Sequence, residues 1–415
     1  MELLEGNIGV FETAYKNLHR NPELSGQEEE TASMVTKFLN EISRFDQVMT
    51  GIGGHGVVGV LHNGLGPTVM LRADMDALPQ QELTGLPYAS KKKVVSSGGE
   101  VVPVMHACGH DLHVVMLLAA GWLLSRDKGS WRGTLVCLFQ PAEESGSGAQ
   151  SMINGGLFDR IPHPDVLLGQ HVVPTETGTV QIRAGPTQSS CDTFDVRIVG
   201  KGGHGSRPQV CRDPVITACS IVLRLQTIVS REIPPEEFAV VTCAYIHAGR
   251  STNIIPDCVD MKVDVRAYKN EIRETVIAAV KRIIRAECDA SAMPQEPEIV
   301  HVDSIPAVFN DSSVVERVGE EFGLYFRDRL GKSTPSTASD DFSVLGATGG
   351  IPYAYWHIGG TDVRRWEEAE RDSKLEELPM NHSTYFAPAI EPTLKTGVQA
   401  LVLGALAYLH HPSGP

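Results

Sequence analysis

Apolar positions along this chain fall into two alternating rhythms. Residues 57–61, 68–71, 134–139 and 166–168 are short continuous apolar runs of the kind that fully buried strands show. Between and before them, residues 11–42, 110–124 and 149–155 carry apolar side chains at helical spacing, the first stretch being interrupted at Pro22. Strand and helix in alternation predict an α/β fold: a doubly wound, mostly parallel sheet with helices on both faces.

Near residue 188 the rhythm changes. Strand 193–199, helix 214–230, strands 238–247 and 258–268, helix 270–288 and strand 299–302 make up an inserted α+β unit. After Ile305-Pro306 the first rhythm resumes and ends in a strongly apolar helix, 395–409, expected to pack back on the first sheet. The expected division is a domain of residues 1–187 and 303–415 with residues 188–302 inserted, and 415 residues are indeed more than one core usually organises. Gly185-Pro186 and the stretch 294–297, rich in proline, punctuate the junctions.

Charge narrows the partners. A net charge of −15, with no basic tract apart from Lys91-Lys92-Lys93, argues against nucleic acid or an anionic membrane as the main partner. The longest apolar run, residues 114–124, is about half of what a bilayer span needs. The N-terminal residues lack the basic and apolar regions of a signal peptide. Eight scattered cysteines without a CxxC pair favour reduced thiols and a cytoplasmic setting.

The chemistry is concentrated in two places. Met105-His106-Ala107-Cys108-Gly109-His110-Asp111-Leu112-His113 packs a thiol, three imidazoles and a carboxylate in front of a buried helix, a composition suited to metal binding. Gln140-Pro141-Ala142-Glu143-Glu144 follows an apolar strand with adjacent carboxylates. Either cluster alone has an ordinary structural explanation, as core histidines or as acidic residues at a helix start. Together, each at the point where a strand or loop gives way to a helix, they read as a metal-dependent hydrolase. A Cys108–His110 nucleophilic dyad stays open at this stage. Two GxGxxG matches, beginning at Gly51 and Gly200, are followed by a strand and by Ser206-Arg207-Pro208, so neither opens a helix to receive a pyrophosphate. HExxH, GxSxG and GxxxxGK[ST] do not occur.

Six motifs in order carry a resemblance: Leu18-His19-Arg20-Asn21-Pro22-Glu23-Leu24-Ser25, Arg72-Ala73-Asp74-Met75-Asp76-Ala77-Leu78-Pro79, Cys108-Gly109-His110-Asp111, Gln140-Pro141-Ala142-Glu143-Glu144, Gly202-Gly203-His204-Gly205 and Asn381-His382-Ser383. The chain resembles the amidohydrolase branch of the metallopeptidase family that includes carboxypeptidase G, aminoacylase-1, hippurate hydrolase and the plant hydrolases of indole-acetyl amino acids. That resemblance implies two divalent metal ions per chain, zinc or manganese, with nickel or cobalt also suited. It implies Cys108, His110, Glu144, His171 and His382 as ligands, Cys108 bridging. Paired cations would polarise the scissile carbonyl and activate water. Glu143 is implied as general base and then proton donor to the leaving amine.

Asp76 and Asp111 are expected to orient ligands, and His106 and His113 to pack or support them. The inserted domain resembles a lid and dimerisation domain, so a homodimer is expected. His204 there is implied to stand over the carbonyl oxygen, and Asn253 and Arg266 to hold the substrate's carboxylate. Gln209, where many relatives carry His, and Ser339-Asp340-Asp341-Phe342, where they carry Ser-Glu-Asp-Phe, bear on substrate preference rather than on the ligand set. The expected reaction is hydrolysis of the amide bond of an N-acyl amino acid or related small conjugate. A dipeptidase or carboxypeptidase with the same chemistry, and a catalytically silent binding protein, are the alternatives.

Overall fold

A computed structural model describes residues 2–96 and 98–409. After a short helix at Glu2–Glu5, the main elements of the first part are helices α1 (Ile8–Arg20) and α2 (Glu29–Lys37), strands β1 (Gln47–Ile52), β2 (Gly56–Asn63) and β3 (Thr68–Asp74), helix α3 (His110–Arg126), strand β4 (Gly133–Gln140), helix α4 (Gly148–Asn154) and strands β5 (Val166–Glu176) and β6 (Val180–Gln181). Strand β7 (Cys191–Val199), helix α5 (Pro214–Arg231), strands β8 (Ala239–Ala248) and β9 (Cys258–Ala267), helix α6 (Asn270–Ala290) and strand β10 (Glu298–Ile305) follow. The last elements are α7 (Ser312–Phe326), β11 (Leu330–Gly331), α8 (Phe342–Gly349), β12 (Tyr353–Thr361) and α9 (Ile390–Leu409). Two compact units result. The first holds the residues up to Thr187, Phe309–Thr334 and those from Asp341 onward, and the second holds Gln188–Val308 with Pro335–Asp340. Residues 335–340 carry no apolar run and could not have been assigned to the second unit from periodicity.

The first unit is built on an eight-stranded sheet in the order β1-β2-β4-β3-β5-β12-β6-β11. Its centre, β4, β3, β5 and β12, is parallel throughout, while β1, β2 and β6 add antiparallel pairings at the flanks. Strand β3 is buried on both faces beyond Thr68, which is why its first part, residues 68–71, reads as a continuous apolar run. Its alternate residues Val69, Leu71 and Ala73 join the main core with α3 and α9. Helix α3 is buried from His110 to Leu124 and is apolar all round, as a helix between a sheet and a second helix must be. Helix α9 lies close against it, and a Cβ at Gly397 would come within 2.2 Å of Met116 Sδ.

Three local departures from the periodicity have physical causes. The interruption at Pro22 widens to residues 21–28 because Leu24 bridges in parallel to Ala77 and the Glu23 carboxylate caps α2 through the N–H groups of Glu30 and Thr31, at 3.1 and 2.8 Å. Strand β5 continues to Glu176, so His171 lies inside the strand, paired with His357 of β12, rather than in a loop beyond it. The first GxGxxG match is the hairpin turn between β1 and β2, with Gly53 and Gly54 at φ 66° and 102°.

The second unit is a four-stranded antiparallel sheet, ordered β8-β9-β7-β10, with α5 and α6 packed on one face. Phe194, Val196, Ile198, Val259, Met261, Val263 and Val265 point to the helices and form its own core. The intervening residues of the same strands pair by charge across the other face, Lys262 with Asp195 at 2.8 Å and Arg197 with Asp260 at 3.2 Å. Among the described residues no helix is long and apolar enough to cross a membrane.

Candidate metal centre

The parallel strands bring their carboxyl ends to one edge of the first sheet, where open α/β folds collect their ligands. Cys108 and His110 flank Gly109, whose φ of 87° would strain any other residue, and His110 is the first residue of α3. The His110 ring donates from Nδ1 to the carbonyl oxygen of Asp76 at 2.9 Å, which fixes the ring with Nε2 turned toward the neighbouring carboxylates. Around that Nε2 stand carboxylate oxygens of Asp74 at 3.8 Å, Glu143 at 3.9 Å and Glu144 at 3.8 Å.

His171 likewise donates from Nδ1 to a carbonyl, that of Val172, at 2.8 Å, so its Nε2 is free to face Cys108 Sγ at 3.4 Å. His382 Nε2 lies 3.3 Å from Glu144 Oε2, and its backbone, at φ 67°, is tied to Ala107 O. The side-chain amide of Asn381 donates to the carbonyls of both Cys108 and Val172, at 3.2 and 3.1 Å, and so ties the Cys108 loop to β5. All five residues expected as ligands are therefore joined by short side-chain approaches.

Their surroundings suit cations. Donor atoms of Cys108, His110 and Glu144 lie within 4.8 Å of one another, as do those of Asp76, His110 and Glu143, and those of Asp74, His110, His113 and His171. Two ligand atoms sharing a zinc at about 2.0–2.3 Å stand roughly 3–4 Å apart, which is the spacing found around His110 Nε2. Buried His110 Nε2, Glu144 Oε1 and Asp76 Oδ1 have no hydrogen-bond partner among the described residues, a state that burial makes unfavourable unless a cation takes the lone pairs. Burial, with Glu144 nearby, pushes the Cys108 thiol up, so a thiolate there needs added positive charge. Burial also opposes ionisation of His110, but Asp74, Cys108 and Asp76 outweigh it and raise the imidazole well above its ordinary range. Hydrogen bonds to Cys108 and Glu144 lift His382 to about 10.

The supporting residues divide differently from expectation. The carbonyl of Asp76 accepts from His110 Nδ1, and its Oδ2 accepts from Ser25 Oγ at 2.6 Å and from the N–H of Glu144 at 2.9 Å. Asp111, expected to orient a ligand, instead accepts from His19 at 2.6 Å and from the N–H of Leu112 at 3.0 Å. His113 accepts the N–H of Val172 at Nε2, 2.9 Å, so its Nδ1 must carry the proton it gives to Asp74 at 2.6 Å. With both nitrogens committed, His113 braces β5 beside His171. His106 is buried and neither of its nitrogens has a partner among the described residues; burial lowers it to about 4.

Three expected residues belong to the second unit. His204 is exposed in the short pairing of Gly203–His204 with Ile254–Ile255. Its Nδ1 accepts the N–H of Ser206 at 3.1 Å, which puts a ring proton on Nε2. Asn253, also exposed, accepts the N–H of Gly205 through its carbonyl at 2.8 Å and so lies beside His204. Arg266 is elsewhere, on β9, its guanidinium engaged by Asp264 at 2.9 Å and Ser339 Oγ at 3.3 Å.

Comparison with known proteins shows the family. The description of peptidase family M20/M25/M40 matches residues 70–385. The chain belongs to that family. It is 37% identical to hippurate hydrolase of Campylobacter jejuni over 354 residues, covering 84% of this chain and 88% of that one. It is 36% identical to N-acetyl-L-cysteine deacetylase of Bacillus subtilis, covering 79% and 75%. The crystal structure of a dinuclear metal-binding M20 peptidase from Bacillus subtilis superposes with a TM-score of 0.77 at 26% identity, covering 97% and 99%. The protein is thus an M20 metal-dependent hydrolase acting on amide bonds.

In this M20 chain the periodicity and motifs left one buried cluster of charged residues unassigned. Arg72, fully buried, donates to Asp74 at 2.6 Å and to Gln140 Oε1 at 2.9 Å, and lies 3.3 Å from Asp341. Burial opposes the charge of Asp74, but His110, Arg72 and His113 hold its carboxyl well below the usual range. A buried arginine needs such partners. A charged residue inside the apolar run of β3 was the available signal.

Proposed function

We propose that this enzyme hydrolyses the amide bond of N-acyl amino acids or related small amide conjugates, with Glu143 as general base. One observation carries the base assignment: Glu143 Oε2 lies 3.9 Å from His110 Nε2, beside Glu144 in the chain and within 4.8 Å of Asp76 and His110 donor atoms. In this reading Cys108, His110, Glu144, His171 and His382 would hold two divalent metal ions, zinc or manganese. When bound, the metals supply Lewis-acid polarisation of the scissile carbonyl and a water of lowered pKa. Glu143 takes the proton from the attacking water and passes it to the leaving amine. His204 donates from Nε2 to the developing oxyanion, and Asn253 and Arg266 receive the substrate's carboxylate.

The substrate class is supported by the relatives named above, whose names describe cleavage of an N-benzoyl and an N-acetyl amino acid. The second unit is proposed as a lid and as a homodimer interface. Its edge strand β8 carries exposed Tyr245 and Ile246, a surface suited to pairing with a second copy. Eight unpaired cysteines fit the reducing cytoplasm.

Glu143→Ala decides the base assignment. Turnover of the best substrate in a panel of N-acetyl, N-benzoyl and indole-acetyl amino acids, run beside dipeptides, is expected to fall about 10²–10⁴-fold with metal content unchanged. A Glu143→Ala enzyme of normal rate removes Glu143 from the role. Faster cleavage of dipeptides than of acyl amino acids replaces the proposed substrate class.

A further inference from the structure

Two buried carboxylates grip the backbone on either side of Glu143. The N–H of Ala142 donates to Glu28 Oε1 at 2.8 Å, and the N–H of Glu144 donates to Asp76 Oδ2 at 2.9 Å. The turn between them is strained and closed on itself. Ala142 holds φ at 53°, a left-handed value that a residue with a Cβ rarely adopts. Its carbonyl accepts the N–H of Gly148 at 3.0 Å, and a Cβ at Gly148 would come within 1.7 Å of Pro141 O. Such a conformation persists only where its surroundings over-determine it.

Glu28 is fully buried in the loop ahead of α2. Its Oε1 takes a second bond, from the N–H of Gly26 at 2.9 Å, while its Oε2 meets no partner among the described residues. Among the described residues no cation pairs with this carboxyl, so charge balance does not account for its place. Its Oε1 is held by two backbone N–H groups, one of them next to Glu143. With both flanking peptides pinned, the Glu143 carboxylate keeps only its own side-chain torsions.

We infer that Glu28 is a positioning residue that fixes the Ala142 peptide and thereby aims the Glu143 carboxylate. This rests on the reading of Glu143 as base. It adds a residue some 115 positions upstream, in the N-terminal loop, to the machinery of the reaction.

The test uses the full, metal-loaded chain and the best substrate of the panel above. Glu28→Ala is expected to lower kcat about 100-fold, the order of loss from misplacing a reacting group by about 1 Å, with KM and bound metal unchanged. Glu28→Gln keeps an oxygen for both N–H groups and is expected to restore kcat to within a few-fold. Glu28→Asp withdraws the carboxylate by one methylene and is expected to behave like the alanine variant. Should Glu28→Ala not fold, the contrast between Gln and Asp decides in its place. In a Glu143→Ala background, Glu28→Ala is expected to add no further loss. Unchanged kcat in folded Glu28→Ala or Glu28→Asp, a fall in bound metal, or full additivity with Glu143→Ala overturns the inference. An active Glu143→Ala single variant instead defeats the base reading, so the two failures are separable.

Discussion

At the carboxyl edge of the first sheet, Asp74, Asp76, Cys108 and His110 are buried, and His110 Nε2, Glu144 Oε1 and Asp76 Oδ1 have no hydrogen-bond partner among the described residues. In the second unit His204 and Asn253 stand exposed, with local hydrogen bonds to Ser206 and Gly205. The first arrangement opposes folding at those three atoms, because burial denies them water as well. The second opposes nothing. A site of the first kind needs something bound to be stable, and changes to it should register in stability and activity together. Changes at a site of the second kind should register in activity alone.

Removing the metals tests the first half most severely. Chelation is expected to abolish turnover and, at a free metal concentration of about 100 Kd in the reference sample, to lower unfolding stability by about 3 kcal/mol. Thermal unfolding with and without chelator, followed by restoration with zinc or manganese singly, reads both. Full activity after verified metal loss would break the comparison at its root.

Arg72 comes next. It is the guanidinium that Asp74, Gln140 and Asp341 share, and Arg72→Met leaves the two carboxylates buried without it. The expected loss is about 3–5 kcal/mol by denaturant unfolding. A variant as stable as the parent would mean that water or rearrangement replaces the charge.

His204→Ala is the counterpart from the exposed region. Loss of one oxyanion donor is expected to reduce kcat about 10²–10³-fold while the unfolding curve stays where it was. A shift of that curve comparable to the Arg72 effect would erase the distinction between the two regions.

The same contrast explains what could be read from the sequence. Cys108 and His110 share a turn, Glu143 and Glu144 are adjacent, and β3, β4 and β5 announce themselves as apolar runs, so local spacing was enough. Glu28, His19, Arg72 and Asp74 act through partners 114, 92, 269 and 39 residues away, and no periodicity encodes such pairs. Asp111 shows the cost of arguing by adjacency: it follows His110 in sequence, yet the first turn of α3 sends its carboxylate to His19. The motif containing His19 and Glu23 was legible as a motif. Its physical content, a carboxylate capping α2 and an imidazole holding Asp111, needed the fold.

His19 offers the smallest effect and a sharp signature. Burial works against its charged form, but hydrogen bonds to Asp111 at 2.6 Å and Glu82 at 3.1 Å outweigh that and raise it to about 9. Because the folded value lies above the unfolded value of about 6.5, the stabilisation is complete below pH of about 6.5 and is lost as pH rises through 9. The difference corresponds to about 3 kcal/mol at most. His19→Gln, which keeps a polar side chain but cannot be charged, should therefore be less stable than the parent at pH 6 and close to it at pH 10. A gap that stays constant over that range would place a neutral imidazole between Asp111 and Glu82, and one of those carboxyls would then have to hold the proton instead.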